Sequence, residues 1–144
     1  MNVPLTIAYA IALGATVLLL RHVAVRYRAA PDRVPVHINP DGRPSARTAG
    51  KWLLWLPPGI VAVIVAILGV ALGLSPPRED QAVLLTLAML AIAEVAWFVA
   101  WTTDRQIEIA RNMTIRIAPA RLLRATLPLL VTVAVILALA LRPS

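Results

Sequence analysis

The chain contains no cysteine, which excludes disulfides, thiol catalysis and cysteine-ligated metals. Only three serines occur, Ser45, Ser75 and Ser144, and each falls in a connector or at a terminus rather than in a nucleophile context. With two histidines in all there is no HExxH helix, and the six glycines form neither a phosphate-binding loop nor a Rossmann fingerprint. Charge is scarce as well. Aspartate and glutamate number seven against fourteen lysines and arginines, and charged residues make up 15% of a 144-residue chain where soluble domains carry about a quarter. What fills the space is apolar: 60% of residues, against roughly half in a soluble domain.

The apolar residues gather in four windows, each near the length of about 20 residues that crosses roughly 30 Å of hydrocarbon. They cover residues 4–22, 52–74, 81–101 and 122–141. The first resembles a secretory signal core, but no basic residue precedes it and its run exceeds the usual length of roughly 7 to 15, so it is expected to remain as a span. These windows predict an all-α polytopic membrane protein. Its expected form is a single domain over 1–144, with four transmembrane helices in an antiparallel bundle and a proline-rich ordered loop between helices one and two.

Seven basic residues lie between Arg21 and Lys51 and five between Arg105 and Arg124, while the second connection has only Arg78. Short basic connections stay on the cytoplasmic side, so the first and third connections are expected inside and both termini outside. Trp52 and Trp55 open the second span and Trp97 and Trp101 close the third, which makes them expected interfacial anchors at one face. The net charge of +7 does not point to nucleic acid, because the arginines flank spans and belong to no recognition module. Anionic lipid is the partner that such placement implies.

Proline and glycine punctuate the spans. In Ser75-Pro-Pro-Arg-Glu-Asp80, the prolines stop helix two, while Glu79 and Asp80 suit the N-terminal end of helix three. Pro57 and Pro58 leave two alternatives: a kinked helix, or a helix that begins there and leaves 51–56 as an interfacial segment. Pro119 marks the break before helix four, and Pro128 predicts a local bend within it. Gly69 and Gly73 match the small-residue packing pattern of membrane helices.

Helix three carries the chemistry. A carboxylate within a span seldom faces lipid, so Glu94 is expected to point into the bundle, toward water, or to a basic partner such as Arg21. Helical phase from Glu94 continues through 97, 98, 101, 104, 105, 108, 111 and 112, so the helix is expected to run on past the membrane. Asp104 and Glu108 would then stack one turn apart. With His37 from another segment they could hold a divalent metal, the one cofactor these residues suggest, unless Arg105 and Arg111 neutralise both acids. His22, beside Arg21, reads as interfacial packing rather than as a base.

Residues 31–44, PDRVPVHINPDGRP, form a stiff polar connector between the first two spans. Its X-Pro steps favour extended backbone, and Pro40-Asp41-Gly42 reads as a turn with glycine available for a positive dihedral. Alternation along such backbone would dip His37 against the bundle. Pro31, Pro35, His37, Asn39 and Gly42, with Lys51 just ahead of a Trp-rich span, resemble the signature loop of the bacterial membrane domain of unknown function 1648. That domain also stands at the front of immunity proteins against the sporulation-delaying-protein toxin.

The resemblance covers close to half the chain and implies a multi-pass bacterial inner-membrane protein. Immunity members of that family protect the producer from a membrane-active peptide and relay its presence to a transcriptional repressor. Three functions are therefore expected in order: an immunity or signalling protein that binds a peptide or protein partner through Pro31, Pro35, His37, Asn39, Gly42 and Lys51; a small accessory or assembly subunit of a larger membrane complex, a homodimer included; and a metal-dependent membrane enzyme or proton-coupled carrier. Enzymatic chemistry is the least supported of the three.

Overall fold

The computed structural model describes residues 3–39, 41–75, 77–112 and 117–141; Pro40 of the expected turn, Pro76, Arg116, Arg142 and Ser144 lie outside them. Four α-helices follow in order: α1 Val3–Arg28, α2 Leu56–Leu74, α3 Glu79–Arg111 and α4 Pro119–Ala140. Between α1 and α2 come strand β1, Arg33–Pro35, strand β2, Thr48–Gly50, and a tighter 3-10 helix, Lys51–Trp55. All four α-helices are long and apolar enough to cross a membrane.

The helix boundaries have local causes. α2 begins at Leu56, which puts Pro57 and Pro58 in its first turn, where backbone N–H groups have no acceptor within the helix. The start, rather than a kink, is therefore what these prolines mark, and Lys51–Trp55 winds separately with Trp52 exposed. At the head of α3 the Arg78 amide donates to Oε1 of Gln81 at 3.3 Å, and Glu79 occupies the first turn, where negative charge is favoured. α3 has 33 residues. At about 1.5 Å per residue that is roughly 50 Å, about 20 Å more than hydrocarbon requires. The excess is the extension past Trp101 expected from helical phase. α4 opens on Pro119 and continues through Pro128.

Polar side chains within the helices are satisfied close to home. Thr16 donates to the Ala12 carbonyl at 2.8 Å, Thr86 to Ala82 at 2.7 Å and Thr103 to Val99 at 2.8 Å, so these hydroxyls can sit in apolar surroundings.

α3 is the hub, touching α1, α2, α4 and β1. One core joins Leu5, Ala8 and Ala12 of α1 to Leu72 and Met89; a second joins Leu19 and Val23 to Val34, Leu54, Val61, Ala96, Val99 and Ile107. Tyr27 lies near Trp55, with ring centroids 6.1 Å apart. Nearer the other end of α1, a Cβ at Gly69 would stand 2.1 Å from the Tyr9 hydroxyl oxygen, whereas one at Gly73 would meet nothing within 4 Å. The small-residue pattern thus serves a close approach inside the chain at its first glycine. α4 packs chiefly on α3, and only 6% of its most apolar window is buried, so nearly all of that surface is left for lipid or a partner.

Candidate functional site

The connector folds back on itself as a hairpin. β1 and β2 pair antiparallel with Arg33 opposite Gly50, Val34 opposite Ala49 and Pro35 opposite Thr48. Beyond the strands the pairing continues: the Val36 amide donates to Arg47 at 3.0 Å, Ser45 to His37 at 2.9 Å and Asn39 to Arg43 at 2.8 Å. The Gly42 amide closes the tip on the Asn39 carbonyl at 2.9 Å, and Gly42 has the positive φ, 76°, that its place in the turn predicts. With only two strands, Pro35 can stand in the ribbon although it donates nothing.

Four contacts fix this hairpin and the segments that flank it. Gln106 of α3 donates to the Pro35 carbonyl at 3.4 Å, and Arg111 reaches the Ala29 carbonyl at 2.9 Å. Lys51 meets Asp32 at 3.0 Å with its ammonium 5.4 Å from the centre of the Tyr27 ring. At the tip, the Ile117 amide donates to the Gly42 carbonyl at 3.0 Å. Val34 and Pro35 of β1 are buried and seat the ribbon.

His37 does not dip against the bundle. It is exposed, and its imidazole has no hydrogen-bond or ion-pair partner among the described residues. Arg33 and Arg47 are exposed on the same hairpin, likewise without ion-pair partners there, while Arg43 meets Asp41 at 3.3 Å. Of the remaining loop residues, Pro31 and Asn39 are half-buried and Gly42 is buried.

The acids of α3 are engaged separately. Asp104 Oδ1 accepts His22 Nε2 at 3.0 Å and Arg26 Nε at 2.8 Å, which links the ends of α1 and α3. Glu108 pairs with Arg105 one turn earlier on its own helix. The three residues expected to hold a metal, His37, Asp104 and Glu108, thus have different surroundings, and no three His, Asp or Glu side chains among the described residues gather into a metal-holding group. Asp104 is neutralised by α1 rather than by Arg105 or Arg111. His22 and Arg26 are the residues that sequence reasoning missed here, although their spacing of four on one helix face was a usable signal.

Glu94 also lacks the basic partner expected of it. Thr132 of α4 donates to its Oε1 at 3.0 Å, and Oε2 is buried with no partner among the described residues. This carboxyl lines a groove of about 480 Å³ between α3 and α4, with Leu90, Trp97, Ala125, Pro128 and Leu129. Arg21 instead lines a second groove of about 500 Å³ between α1 and α3, on which Trp97 also borders. Of the expected anchors, Trp52 and Trp97 are well exposed, at 60% and 54%, Trp55 is at the margin and Trp101 is half-buried with Phe98 stacked at 6.0 Å.

The four helices give the chain, by length and composition, the form of a multi-pass membrane protein. No family model, curated protein or solved structure matches it. The family resemblance therefore rests on the connector residues alone.

Proposed function

We propose that the protein is a multi-pass component of the bacterial cytoplasmic membrane, an antiparallel four-helix bundle of the immunity or signalling type that binds a peptide or protein partner through the α1–α2 connector. The observation that carries this reading is His37: an unpartnered, exposed imidazole held at a fixed place by a hairpin whose backbone is bonded on both sides and at its tip. Ordering backbone costs roughly 1–2 kcal/mol per residue, and a segment that only joins two spans has no need of that order. Exposed Arg33 and Arg47 beside His37 suit a partner that brings acidic or carbonyl groups. The loop resemblance and the basic first and third connections, expected on the cytoplasmic side, support the same assignment.

A second reading, an accessory subunit or homodimer, is favoured by α4, whose apolar surface is almost wholly outward. Purification from the native membrane in mild detergent, followed by mass spectrometry of what copurifies, tests both. The first reading expects a stoichiometric peptide or protein that is lost on His37→Ala with unchanged thermal stability. Retention of that partner in His37→Ala and in Arg33→Ala/Arg47→Ala would move recognition away from the hairpin and leave the second reading.

A further inference from the structure

The groove between α3 and α4 is formed by the apolar stretch of α3 around Glu94, ahead of Gln106 and Arg111, and has its own chemistry. Its volume, about 480 Å³, falls within the roughly 300–1,000 Å³ of small-molecule sites. Leu90, Ala93, Ala125 and Leu129 make its walls apolar. Against them stands Glu94, whose two oxygens are unequally served: Thr132 fills Oε1, and Oε2 is buried without a donor.

A carboxyl oxygen offers lone pairs, so a group that would satisfy Oε2 is an N–H or O–H. The protein supplies no cation to it: among the described residues Glu94 has no ion pair, His22 and Arg26 are committed to Asp104, and Arg21 lines the other groove. Pro128, on the α4 wall, has no N–H to give. Trp97 completes the lining with an indole, the side chain whose face best attracts cations. Acceptor, aromatic ring and apolar wall together describe the complement of a ligand with an apolar body and a positively charged donor head.

We propose that this groove binds a lipophilic ammonium ion, its N–H directed to the Glu94 carboxyl, its charge beside Trp97 and its apolar body along Leu90, Ala125 and Leu129. The site stands on the α3–α4 geometry and does not depend on partner binding at the connector.

The test uses the full chain in phosphatidylcholine nanodiscs, titrated calorimetrically with adamantylammonium against empty nanodiscs as the blank. Saturable one-to-one binding is expected, weakened at least tenfold by Glu94→Gln, whose side-chain carbonyl can still accept from Thr132. The trimethylated ammonium keeps the charge but has no N–H and should bind more weakly than the primary amine; neutral adamantanol should show no saturable binding. Leu129→Trp, which fills the groove without touching the carboxyl, should also abolish binding and keeps the test decisive if Glu94→Gln does not fold. No saturable heat above the blank, equal affinity in wild type and Glu94→Gln, or equal affinity for adamantanol would each overturn the proposal.

Discussion

Gly42→Ala probes how firmly the hairpin is held, and its cost can be worked from three contributions. A left-handed φ of 76° costs a residue with a Cβ roughly 1–2 kcal/mol. The added Cβ would lie 1.9 Å from the Ile117 carbonyl oxygen and 2.9 Å from its carbon, both backbone atoms that cannot rotate aside. The two segments must part by about 1.5 Å to restore ordinary contact, which breaks the 3.0 Å bond from the Ile117 amide to the Gly42 carbonyl and forfeits about 0.5–1.5 kcal/mol. The dihedral and hydrogen-bond contributions sum to about 1.5–3.5 kcal/mol, concentrated at the hairpin tip.

Since every 1.4 kcal/mol or so is a factor of ten, amide hydrogen exchange at Ile117 should accelerate by about 10-fold or more, with exchange in α1 unchanged. Gly14→Ala is the control: its Cβ would meet nothing within 4 Å, and in a helix interior the change should stabilise by up to about 1 kcal/mol. Unaltered protection at Ile117 in Gly42→Ala would refute the claim that the tip is locked against the start of α4.

Gly69→Ala should destabilise by about 1–2 kcal/mol, because its Cβ meets the Tyr9 ring end at 2.1 Å, whereas Gly73→Ala should be neutral or mildly stabilising; thermal unfolding of the two variants in one detergent compares them directly. Asp104→Asn removes the charge that holds both His22 and Arg26, but with side-chain exposures of 29%, 33% and 52% the solvent screens these contacts, so a loss of about 1 kcal/mol is expected, diminishing in high salt. Glu94→Gln should change thermal stability little, since the Thr132 hydroxyl keeps an acceptor; a large loss would identify Glu94 as part of a structural clamp instead.

The spans were legible because hydrocarbon thickness fixes helix length, and the length of α3 because its polar extension keeps the helical phase set by Glu94. Gly42's dihedral and the start of α2 were legible for a local reason, as glycine and proline act on their own backbone. Partner choice was not. Whether Glu94 meets Arg21 or Thr132, and whether Asp104 meets Arg105 or His22, depends on how far one helix slides along another, which no local pattern in α3 records. The orientation of His37 was misread because alternation fixes which residues share a face and not which face meets the bundle; counted from buried Val34, His37 points the other way.

The two contrasting carboxyls of α3 bear on what the helix is for. Asp104 and Glu94 are ten residues apart, about 15 Å along the axis. The one nearer the helix end, where water lowers the cost of charge, has an arginine and a histidine as partners; the deeper one, where isolation is costliest, has a single hydroxyl among the described residues. Selection for stability alone predicts the opposite arrangement, with the cation placed where desolvation is greatest, or an apolar residue in place of Glu94. Arg21 sits on the far side of Trp97, so a guanidinium occurs close by in sequence yet lines the other groove. That asymmetry is the observation on which the proposed ammonium site rests: a carboxyl with one hydrogen bond from Thr132, beside the Trp97 indole, in a groove walled by α3 and α4.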